Sequence, residues 1–120
     1  MFPLPEIVLD SSENDSSDLL IETGHYEHDV PRIVLRTSGR HLKDIMRTYC
    51  HELVHHHQNL DNPDYFRRVW KGGNLVDNPE LEEIESEAFL QGNLNFRKFT
   101  EQLQRSKKLE IYGDLNEYHI

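Results

Sequence analysis

The sequence predicts an α+β domain in which a small antiparallel sheet packs on two long helices. Three observations predict it. Short aliphatic and β-branched runs occupy the first forty positions, an apolar stripe of helical period covers residues 40–60, and a second helical pattern with a start signal runs from Asn78 to about residue 107.

Taken in order, residues 7–9 are β-prone, and SSENDSSD at 11–18 is too polar to bury anything and reads as a mobile acidic loop. Residues 19–22 and 33–37 gather aliphatic and β-branched side chains between Gly24, Pro31 and Ser38-Gly39, and read as short strands. Leu42, Met46, Tyr49, Leu53 and Leu60 then recur at spacings of three, four and seven, so one side of a helix faces the core. Asp61-Asn62-Pro63 ends that helix, because proline restricts the residue before it and breaks the hydrogen-bond ladder. A connection follows through Trp70 and Gly72-Gly73. Asn78 caps the next helix, Pro79 suits its first turn, and the acids that follow favour the helix dipole. Its inward stripe reads Leu81, Ile84, Ala88, Phe89, Gly92, Phe96, Phe99 and Leu103. A last strand at 109–112 and a polar tail complete the chain, with no internal repeat.

At 120 residues the chain fits one domain and one core. Thirteen basic against 22 acidic residues give a net charge of -9, a surface that repels phosphate backbones and anionic lipid, so neither nucleic acid nor membrane is an expected partner. No apolar run reaches the length of a membrane span, and the opening MFPLPEIVLD lacks the pattern of a signal peptide. The single Cys50 rules out an internal disulfide and a multi-thiolate metal site, and reads as a buried small hydrophobe. The expectation is a cytoplasmic monomer.

The first helix carries His51-Glu52-Leu53-Val54-His55, an H-E-x-x-H string. At 100° per residue the two histidines stand about 40° apart and can hold one cation from a single face, with room for a third ligand and a water. Glu52 lies where it can take a proton from water whose pKa the metal lowers to roughly 7. A chance occurrence of the string in a chain this rich in His and Glu has a probability of roughly 5%, so context must decide. The string falls mid-helix, on a polar face with Asp44, Thr48 and Gln58 that lies opposite the apolar stripe, as a cleft-lining helix requires. His56 and His57 point away from it and read as packing or surface residues. His25, His28, His41 and His119 read as ordinary polar residues.

For the third ligand, Asp61 stands ten positions after His51, where metzincins place theirs, but Gln58 replaces the glycine of that motif and no methionine lies downstream. The second helix offers Glu80, Glu82, Glu83, Glu85 and Glu87, most of which belong to a solvated face. Glu85 projects into the inward stripe, where an unpaired carboxylate would cost several kcal/mol and needs a cation or strong donors. Glu87 remains the alternative, since a change of helix register would turn it inward.

HELVH on one helix and Glu85-Ser86-Glu87-Ala88 on a later one resemble the gluzincin metallopeptidases. The likeness covers roughly residues 31–107 and is nearest to the minigluzincins and small phage or bacterial proteins of that type. It implies a zinc-dependent endopeptidase with one Zn²⁺ on His51, His55 and Glu85 and Glu52 as general base. It further implies that a peptide or protein substrate pairs along an edge strand at 33–37, and that the segment 109–120, with Asp114, Glu117, Tyr118 and His119, covers the cleft and keeps the enzyme latent. Family members often carry Asp four residues after the glutamate ligand. This chain has Phe89 there, which leaves Gln91 or Asp44 to orient a ligand. A zinc-binding interaction module without turnover is the rival reading; Glu52 argues against it, because a structural site has no use for an acid beside the metal.

Overall fold

The structure, a computed structural model, describes residues 3–12, 23–71 and 78–113. In chain order it forms β1 (Glu6–Asp10), β2 (Gly24–Glu27), β3 (Arg32–Arg36), α1 (Leu42–Asp61), α2 (Pro63–Lys71) and α3 (Pro79–Gly113). The class is α+β.

The sheet is three-stranded in the order β1-β3-β2, with β2 antiparallel and β1 parallel to β3. It is mixed, where a wholly antiparallel sheet was expected. The chain leaves β1, returns as β2 on the far side of the β3 position, and turns back tightly, so β3 runs in the direction of β1. The strand expected at an edge is therefore central. Residues 19–22, expected as a strand, lie outside the described residues, as do most of the acidic stretch 11–18, Gly72-Gly73 and residues 114–120. Strand alternation buries Tyr26, Ile33 and Leu35, and β2 and β3 pack on α1.

His41 caps α1, its Nδ1 accepting from the Lys43 amide at 3.1 Å, and Asn62 closes the helix where the sequence predicts. Asn62 then caps α2 through its Oδ1, 3.3 Å from the Tyr65 amide. Pro63 thus stops one helix and occupies the first turn of the next. The expected irregular connection through Trp70 is this helix, which buries Phe66 and Val69 with Leu81, Ile84 and the sheet residues in one core. Asn78 caps α3 as expected, accepting from the Leu81 amide at 3.1 Å. The strand expected at 109–112 is instead the last turn of α3, because no glycine or proline interrupts the good helix formers of 101–110.

The inward stripe of α3 is shorter than expected. Leu81, Ile84, Ala88, Gly92 and Phe96 are buried, whereas Phe89, Phe99 and Leu103 are exposed. At 35 residues α3 outruns the 20 residues of α1, so its far half has no helix to lie on among the described residues. On α1 the expected apolar face is not the most buried one: Leu42 is exposed, while Glu52, Val54, His55, His56 and Asn59 are buried. The sheet covers α1 from one side and α2 and α3 from others, and the polar side lies inside.

Two glycines permit this packing. A Cβ on Gly24 would stand 2.7 Å from Thr48 Cγ2 and 2.9 Å from the Val34 carbonyl, and one on Gly92 would stand 2.9 Å from the Cα of His51. Arg40 ties the same corner together, donating to the carbonyls of Thr23, Arg36 and Asp44 and to Thr48 Oγ1. His56 is a packing residue, as expected. It is fully buried, donates from Nε2 to the Pro3 carbonyl at 2.7 Å, and accepts at Nδ1 from Tyr26 Oη at 2.8 Å, which in turn accepts from Asn59.

Candidate metal centre

Helical spacing puts His51 and His55 one turn apart on α1, with ring centroids 4.9 Å apart. Gly92 lets α3 approach the backbone of α1 at His51, and Glu85, two turns earlier on α3, reaches both rings. Its Oε1 lies 2.6 Å from His55 Nε2 and 3.4 Å from His51 Nε2. One donor atom from each of the three residues lies within 4.8 Å of the others.

Aromatic rings fix the imidazoles. Trp70 of α2 packs on His55 with centroids 4.5 Å apart, Phe66 stacks behind Trp70, and Phe89 packs edgewise on His51 at 4.6 Å. The two histidines and Glu85 were expected from the sequence and these walls were not, because Trp70 belongs to a helix that the sequence did not announce. Phe89 stands four residues after Glu85, where the resemblance implies a carboxylate, and supplies a ring instead.

The imidazoles of His51 and then His55 hold the Glu85 carboxyl down to about 2, so it is ionised at neutral pH. Even so, neither His55 Nε2 nor Glu85 Oε1 makes an aligned hydrogen bond among the described residues, although both are buried and face each other. Alignment decides the matter, because a hydrogen bond needs its proton on the line between the atoms. At 2.6 Å the two atoms form a close ion-pair contact that falls short of an aligned hydrogen bond, and a cation held between the imidazoles and the carboxylate would satisfy all of them. Two imidazole nitrogens and a carboxylate oxygen suit a divalent first-row ion, so the residues fit a metal.

No protein-family model, curated protein or solved structure matches the chain.

Glu52 is buried on the same helix, and its Oε2 also has no hydrogen-bond partner among the described residues. Burial pushes its carboxyl up, and His55 and His51 draw it part of the way back. It lines, with His51, an open pocket of about 220 Å³ whose other walls include Thr23, Arg47, Phe89 and Asn93. A carboxylate lining a pocket beside these three residues has the position that proton transfer to a molecule bound there would require.

The remaining sequence candidates lie elsewhere. Glu87 meets Gln58 rather than the histidines, its Oε1 accepting from Nε2 at 2.8 Å. Asp61 is exposed at the end of α1. Neither Asp44 nor Gln91 orients a ligand: Asp44 pairs with Arg47 at 3.1 Å, and Gln91 lines a separate groove with His57 and Asn95. The residue that does touch one of the candidate rings is Gln58, whose Oε1 lies 2.8 Å from His55 Nδ1. His25 pairs with Glu27 and His28 with Asp29, and Cys50 is half-buried with its thiol pushed up by burial.

Proposed function

We propose that the chain is a zinc-dependent metallopeptidase of the gluzincin type, with one zinc on His51, His55 and Glu85 and Glu52 as general base for peptide-bond hydrolysis. The observation that carries this reading is the meeting of two imidazoles and a carboxylate whose facing atoms lack hydrogen bonds, with Glu52 Oε2 buried and unbonded on the same helix. Three protein ligands of these types are the set found in catalytic zinc sites, which keep one position open. When bound, zinc supplies Lewis acidity toward a carbonyl and acidifies water. Glu52 accepts the proton at Oε2 and returns it to the leaving amine, while Phe89 and Trp70 shield the histidines from bulk water. The substrate is an extended peptide. β3 is central, so the peptide would pair along β2 instead, which follows Thr23 of the pocket and has one edge unpaired among the described residues. No helix of the described residues is long and apolar enough to cross a membrane. The single cysteine favours the cytoplasm as the place of action.

The depth of His55 and Glu52, 1% and 8% exposed, favours a second reading, a zinc-binding interaction module without turnover. One experiment separates them. The purified chain should bind one zinc and cleave a peptide library, and Glu52→Gln should keep the zinc while hydrolysis falls by roughly 10²–10⁴-fold. Zinc uptake without cleavage by the parent chain selects the interaction module, and unchanged cleavage by Glu52→Gln removes Glu52 from its role.

A further inference from the structure

Gln58 follows His55 by three residues on α1 and reaches across to α3. Its amide has one orientation open to it. Nε2 stands 3.1 Å from the Ile84 carbonyl and 2.8 Å from Glu87 Oε1, and both of these oxygens accept. Oε1 must then be the atom 2.8 Å from His55 Nδ1. An amide oxygen only accepts, so Nδ1 carries the proton, and Nε2 is left as the nitrogen that can bind a cation. That nitrogen is the one facing Glu85.

We propose that Gln58 is a positioning residue of the metal centre: it fixes His55 in the Nδ1-H tautomer, and through Ile84 and Glu87 it sets the distance between His55 and Glu85. The proposal rests on the metal reading of the site. Its second part follows from where the amide is anchored. Ile84 directly precedes Glu85 and Glu87 follows two residues later, so one side chain of α1 grips α3 on both sides of the ligand. A tether serving only to hold the helices together would have no need of the histidine.

Removing the amide at nearly constant length isolates its effect. In Gln58→Met the full chain should fold, bind zinc roughly 10–100-fold more weakly in competition with a chromophoric chelator, and lose its single tautomer in the ¹⁵N spectrum of the metal-free His55 ring. Should Gln58→Met fail to fold, the ¹⁵N spectrum of the zinc-loaded parent decides: His55 bound through Nε2 with a protonated Nδ1 is the expected result, and a ring bound through Nδ1 overturns the proposal. Equal zinc affinity and an unchanged tautomer in Gln58→Met overturn it also. Failure of the parent chain to take up zinc overturns the metal reading itself, and is told apart from both by the absence of any zinc-loaded form.

Discussion

On α3, Glu85 and Glu87 stand roughly 200° apart around the helix axis, and this rotation gives them different neighbours. Glu85 meets His51 and His55, and Glu87 meets Gln58. Glu85→Ala should therefore lower zinc affinity by more than the roughly 10–100-fold typical of an outer partner, while Glu87→Ala should stay within about tenfold of the parent, since the Ile84 carbonyl still orients the amide. Competition titration of the two single variants checks this; greater loss with Glu87→Ala would reverse the roles. The approach of Glu85 to the two histidines was legible in the sequence because each step is local: an i, i+4 spacing on one helix and an acid in the apolar stripe of the next. The grip of Gln58 was not. It joins residues 26 and 29 positions apart, and depends on how two helices are rotated and slid against one another, which periodicity does not encode.

The helices themselves were legible to the extent that their signals are long. Twenty residues of period and a stop at Asn62 marked α1, and the Asn78 cap marked α3. α2 has nine residues, and Pro63 reads as a breaker unless the next turn is known to follow it. β2 has four residues, of which only Tyr26 is a strong strand former. Yet α2 contributes Phe66 to the core and Trp70 to the histidine wall, so Phe66→Ala should cost about 3–5 kcal/mol in chemical denaturation and weaken zinc binding with it. The approach of α3 to α1 makes a second test. Gly92→Ala puts a methyl against the backbone of His51 and Cys50, atoms that cannot swing aside. It should destabilise the fold by about 1–3 kcal/mol, and zinc affinity should fall because the helix bearing Glu85 moves away from α1. Full stability of Gly92→Ala would mean that the two helices are not held so closely.

Across the whole molecule, the proposed ligands come from two helices whose separation in the unfolded chain is unconstrained, so an ion bound by them would join α1 to α3 only in the native state. Zinc at about 100 times its dissociation constant should add about 2.7 kcal/mol, a rise in melting temperature on the order of 10 °C for a domain this size, and a chelator should remove it. A melting temperature indifferent to both would place any bound zinc outside this pair of helices. The mixed sheet is the part of the architecture that was least legible, because strand order follows from which side of β1 the chain returns on, and nothing in residues 24–36 states that side. Its effect on the site is nonetheless direct. With β3 central, β2 is the strand that brings Thr23 to the pocket and Gly24 against Thr48. One further consequence belongs to Trp70, the only tryptophan in the sequence, whose indole lies 4.5 Å from the His55 ring. All of the indole emission of this chain originates beside that imidazole. Its intensity and lifetime should thus change when the ring gains a positive partner, giving a label-free optical gauge of occupancy, built into the chain and readable in a stopped-flow cell.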